Sequence, residues 1–270
     1  MEIRTCVLSA YARCKASFLE FRRLVNASEL NKLDRLPLVC AMAAAFATSL
    51  LFWFGIPVSG ATFWCMIAFG TALAALRSWK NAIWFCLMIA TIWLATAFSF
   101  TYWGFDATMY HFPLPHAIVN GWNPILEATK ADIERVLVWG AAADHMLASP
   151  KAVAIVSAIV QKGTGLFTAG AFLPLCLMLA LGVASFHLAR TELHLPKWLA
   201  VFFAIFAATM GEVAQSFFNG QTDYAKYAAS SGAIFTFLLF LRSRKASDAV
   251  LFWVFLAVLP RSEERRVGKE

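Results

Sequence analysis

Apolar runs about as long as a lipid bilayer is thick recur along the chain, separated by short polar or glycine-proline links. A helix that crosses a bilayer needs roughly 20 apolar residues. Six runs meet or approach that length: Leu36–Ile56, Ala61–Leu76, Ala82–Tyr102, Gly165–Ala189, Lys197–Phe218 and Ala228–Leu241. A seventh begins at Ala249 and runs to Pro260. The second and sixth are short, so tilt, local bilayer thinning and a re-entrant path all stay open for them. Between the first two, "GIPVSG" leaves room only for a tight helical hairpin. The pattern predicts an all-α, polytopic bundle over 36–260, preceded by an N-terminal arm over 1–35.

One segment breaks the rhythm. Between the third and fourth runs lie residues 103–164, including "FDATMYHFPLPHAIVNGWNPI", with one aspartate, two histidines and three prolines. Further on, "EATKADIERVLVWGAAADHML" has the spacing of short amphipathic helices lying along a membrane. "SPKAVAIVSAIVQKGTG" has a proline start and apolar spacing, which predicts a helix partly immersed before the fourth span. A plain loop has no need of so many Trp, Val and Ile residues, so an ordered cap over one face of the bundle is expected.

Composition agrees with a membrane class. Apolar residues make up 60% of the chain and charged ones 14%, more grease than a soluble core of this length requires. The net charge of +7 is not a nucleic-acid signal, because the basic residues gather at span ends and in the arm. The arm itself, with "YARCKASFLEFRRL", has helical spacing and mixed charge, and reads either as a helix on acidic headgroups or as a plain solvated one. No apolar stretch follows closely enough on its first basic residues to make it a secretory signal. Arg77 and Lys80, Arg190 and Lys197, and Arg242, Arg244 and Lys245 all fall in links of one parity. By the positive-inside rule they face the cytoplasm with the N-terminus, and the 103–164 segment faces outward. The expected location is a bacterial-type cytoplasmic membrane.

The final ten residues, "RSEERRVGKE", turn charged where a span has barely begun. They resemble the in-frame translation of a sequencing adaptor, and on that reading the natural chain continues beyond Pro260. Setting them aside removes four basic and three acidic residues and leaves a basic excess of six. The cysteines fall in apolar runs or in the arm, so the outward segment holds no disulfide or Cys-type zinc pattern.

Three stretches together resemble the GT-C superfamily, polytopic glycosyltransferases of the protein-mannosyltransferase type and their bacterial relatives. The first is an outward loop that opens on Asp106 and continues through "YHFP" to "GWNP". The second, "HMLASPKAVAIVSAIVQKGTG", is similar to the family's Tyr-Pro-Lys stretch, with Ser149 in the usual tyrosine place. The third, "EVAQSFFNGQTDYAKYA", is similar to its next outward turn, where Gln215 and Asp223 flank a small loop. The sequence departs from the pattern in two ways: Ala107 stands where many members carry a second acid, and the loop follows the third span rather than the first.

The resemblance implies a polyprenyl-phosphate-linked sugar as donor, held at the outer lipid surface. Asp106 is then the general base that takes the acceptor hydroxyl's proton. Tyr110 and His111 shape the donor pocket, Lys151 partners the phosphate, and Gln215 and Asp223 serve substrate binding, with a divalent metal an open option at Asp223. Each residue also has a structural reading. Asp106 can cap a helix containing "ATMY", Lys151 can snorkel to headgroups, and Asp223 can cap the sixth span. His111, His116 and His145 either gather around zinc or make ordinary interfacial hydrogen bonds. Glu212 should face the bundle interior rather than lipid. Two rival functions stand beside the enzyme: a transporter or flippase of lipid-linked saccharides, and a non-catalytic membrane scaffold. The first calls for polar residues deep in several spans, and the first four runs hold almost none.

Overall fold

The structure, a computed structural model, describes residues 35–97, 113–127, 129–136, 151–209 and 222–259, with the side chains of 167 and 222–224 left aside. Among these residues the chain is helical and without strands. The elements are α1 (Leu36–Trp53), α2 (Gly60–Arg77), α3 (Trp79–Ala97), α4 (Pro113–Val119), α5 (Lys130–Glu134), α6 (Lys151–Thr164), α7 (Phe172–Thr191), α8 (Lys197–Ala208), α9 (Thr222–Ser243) and α10 (Ala246–Val258). A 3-10 turn, Phe167–Ala171, leads into α7.

Four segments are long and apolar enough to cross a membrane: α1, α2, α3, and α7 extended back to Thr168. Helices α8 and α10 are apolar but shorter. Helix α9 has 22 residues, and its first turns carry Asp223 and Lys226. The second span, short in the sequence pattern, gains length because Ser59 caps it early and a single residue, Ser78, separates it from α3. The hairpin predicted from "GIPVSG" forms as expected, and its chemistry is local. Gly55 adopts φ 70°, its N–H and that of Ile56 return to the Phe52 and Leu51 carbonyls, and the chain then leaves through Pro57. This is the glycine-terminated helix end that satisfies orphan carbonyls without water.

Large aromatic side chains point outward from the bundle. Phe54 is 79% exposed and Trp198 71%. A surface so rich in bare rings is stable against hydrocarbon rather than water. Tryptophans mark both ends: Trp79 and Trp198 begin helices at one end, while Trp53 and Trp64 stand at the other. Interfacial belts have this arrangement.

The end that carries Trp79 and Trp198 also gathers the basic links. Arg35, just before α1, pairs with Asp248 in the first turn of α10 at 3.0 Å. Arg242, at the end of α9, lies 3.9 Å from Glu192 after α7. A Cβ at Gly70 would strike the Phe85 ring and touch Cys40, so the second half of α2 packs closely on the first halves of α3 and α1.

The sequence pattern predicts α6 as a helix, and the structure adds that every residue from Val153 to Val160 is buried. It packs on α1, α2, α4 and α7 and makes lesser contact with α10. A stretch of eight residues with a single polar side chain can be buried on every side, and the charged and amide side chains of α6 stand at its two ends. Ser157, its one polar residue in that stretch, donates its hydroxyl to the Val153 carbonyl at 2.8 Å and so needs no outside partner.

Candidate functional site

The segment between α3 and α6 is built on the turn "GWNP". Gly121 adopts φ 103°, and the Trp122 N–H returns to the Ala117 carbonyl at 2.9 Å, closing α4. The fully buried Trp122 indole donates to the Glu127 carbonyl at 3.0 Å. Asn123 does three jobs at once. Its Oδ1 accepts from the N–H groups of Ile125 and Leu126. Its own N–H donates to Glu127 Oε2 at 2.8 Å. Its Nδ2 donates to the Phe52 carbonyl at 2.7 Å, joining the cap to the last turn of α1. Glu127 in turn holds Arg135 at 2.6 Å. The polar, rigid character of this segment therefore serves to anchor it.

Between these anchors, α5 is a single turn closed by a capping box. Thr129 accepts from the Asp132 N–H, and the Asp132 carboxylate accepts from the Thr129 hydroxyl and N–H. Those hydrogen bonds, the side-chain one first, hold the Asp132 carboxyl below its ordinary value.

Helix α4 lies against α6. His116 Nδ1 and Gln161 Nε2 are 3.4 Å apart, and Lys162 Nζ donates to the Val119 carbonyl at 3.4 Å. Lys151, the candidate phosphate partner, stands at the start of α6 with its ammonium 5.2 Å from the centre of the Trp122 ring. That cation–π contact is a structural engagement different from both readings the sequence offered. The end of α6 presses on the start of α2: the Lys162 carbonyl approaches Gly60, and the Phe63 ring covers Gly163.

Beside that contact an apolar groove of about 430 Å³ opens between α2 and α3. Phe63, Trp64 and Ile67 form one wall, and Cys86, Ile89 and Trp93 form the other. Gly163 and Thr164, at the end of α6, complete its lining.

Of the residues singled out as catalytic or substrate-binding, Lys151 alone has its side chain among those described, and of the three histidines only His116. Asp106, Tyr110, His111 and Gln215 lie outside the described residues, as do His145 and Glu212 and the 261–270 tail. Asp223 lies in the first turn of α9, which begins six residues earlier than the sixth apolar run. Among the described residues no three His, Cys, Asp or Glu side chains gather as a metal site, and His116 is placed against Gln161. Sequence reasoning missed Asn123, Glu127 and the α2–α3 groove. The Asn-Pro turn was visible; its tie to Phe52, some seventy residues away, was not. Comparison with protein-family models, with curated proteins and with solved structures returns no match.

Proposed function

We propose that this protein is a membrane glycosyltransferase of the GT-C type. It moves a sugar from a polyprenyl-phosphate donor to an acceptor hydroxyl on the outer face of a cytoplasmic membrane, and the basic end of the bundle with the N-terminus faces the cytoplasm. The observation that carries the reading is the α2–α3 groove. It is apolar, it lies among helices able to cross a bilayer, and one end meets Gly163 and Thr164 at the end of α6, which packs on α4. An isoprenoid chain fits the groove by chemistry, with its phosphate at the headgroup level. Asp106 stands in the stretch that follows α3 and precedes α4, nine residues after Ala97 and seven before Pro113.

In the reaction the acceptor oxygen attacks the anomeric carbon and the bond from that carbon to the phosphate oxygen breaks. Asp106 takes the hydroxyl proton, and polyprenyl phosphate leaves. A positioned base of this kind contributes roughly 10²–10⁴ in rate. The leaving phosphate needs cations or N–H donors more than it needs acid catalysis.

The test is transfer of radiolabelled sugar from a polyprenyl-phosphate donor by the purified full-length protein. Asp106→Asn should cut transfer by about two to four orders of magnitude while leaving donor binding intact. Transfer that persists in the variant removes Asp106 as the base. A second reading, a non-catalytic membrane scaffold, draws on Lys151 and the "GWNP" turn, which are both engaged in packing the cap. Folded wild-type protein that binds the donor and transfers nothing would favour it.

A further inference from the structure

At the basic end of the bundle, far from the cap, a second cavity of about 230 Å³ lies between the ends of α7 and α9 and the starts of α1 and α10. Its character is opposite to that of the α2–α3 groove. The floor is the buried pair Arg35–Asp248, in which Ser243 Oγ also donates to Asp248 Oδ2 at 2.7 Å. With an arginine and a hydroxyl both directed at it, that carboxylate is satisfied. His187 and Thr191 line the α7 side, while Arg242 and Lys245 line the side of the α9–α10 link. The remaining carboxylate, Glu192, sits 3.9 Å from Arg242, whose side chain is 75% exposed. The floor pair cancels its own charge, so above it Arg242 and Lys245 face the single carboxylate of Glu192.

We propose that this cavity binds a phosphate group. Charge-assisted hydrogen bonds from guanidinium and ammonium groups suit phosphate oxygens. The position, at the ends of the apolar helices α7 and α9, is where the phosphate of an anionic lipid headgroup would lie. A free phosphate offers the same chemistry. The reading is independent of the glycosyltransferase proposal and uses none of its residues.

The full chain in detergent can be titrated with phosphatidylglycerol, phosphatidylcholine and inorganic phosphate, with binding read by native mass spectrometry. Phosphatidylglycerol should bind about tenfold more tightly than phosphatidylcholine, the factor expected of one or two charge-assisted contacts. Arg242→Gln with Lys245→Gln should remove that preference. Both side chains are exposed, so the fold should survive, and Lys130→Gln at the opposite end should change nothing. Glu192→Gln should tighten binding by removing a competing carboxylate. Inorganic phosphate that displaces the lipid identifies a free phosphate as the ligand, and failure to displace it identifies the headgroup. An anionic preference that is missing from the wild type, or that is unchanged in the double variant, overturns the proposal.

Discussion

Asn123 shows how much one side chain can organise. Its amide satisfies two N–H groups of its own turn and reaches the Phe52 carbonyl, while its backbone holds Glu127. The Phe52 and Ile125 groups it serves are half-buried and the Leu126 N–H is exposed, so losing the amide should cost about 1 kcal/mol or more. Asn123→Ala should therefore lower the melting temperature and free the cap from α1, seen as faster amide exchange at Trp122 and Glu127. Unchanged exchange there would mean that the turn is held by packing alone. The same residue marks a limit of sequence reading. "GWNP" announces a turn, because Asn and Pro bring local geometry with them. Nothing local announces which distant carbonyl the amide will meet.

At the scale of elements, helices meet where glycine lets backbones approach. A Cβ on Gly60 would stand 2.8 Å from the Lys162 carbonyl, and one on Gly163 would stand 2.5 Å from the Phe63 Cβ. The first clash is with backbone and cannot be relieved by a rotamer change. Gly60→Ala should cost roughly 1–3 kcal/mol, the range for overpacking a close contact, and should separate α6 from α2. A thermal melt of the reconstituted protein checks it, and a melting temperature within error of wild type would show that the contact is loose. Most helices were legible in advance, since a run of 18 or so apolar residues has few other fates. Helix α6 was legible as a helix but not in its place. Its apolar spacing is that of a half-immersed helix, and only the neighbours show that every residue from Val153 to Val160 is buried.

For the molecule as a whole, the Arg35–Asp248 pair closes the bundle by tying the first described helix to the last. A buried pair that loses one member leaves an uncompensated charge and typically costs 3–5 kcal/mol, whereas exchanging both for apolar residues is often neutral. Arg35→Met alone should therefore destabilise by about that much, and Arg35→Met with Asp248→Leu should recover most of it. Chemical denaturation in mild detergent measures both. A single variant as stable as wild type would show that the pair is open to water.

The order of apolar runs and the "GIPVSG" and "GWNP" turns by themselves determined that the described residues are helical, that successive apolar helices fold back as hairpins and that a turn-bearing segment stands between the third and fourth of the apolar runs. They could do so because periodicity, helix ends and turns depend on residues within a few positions of one another. The tertiary structure alone decided that α6 is core, that Lys151 lies over Trp122, that α2 and α3 leave an apolar groove, and that Arg35 meets Asp248. Those facts depend on residues brought together from far along the chain, and short-range pattern carries no record of which apolar face finds which partner.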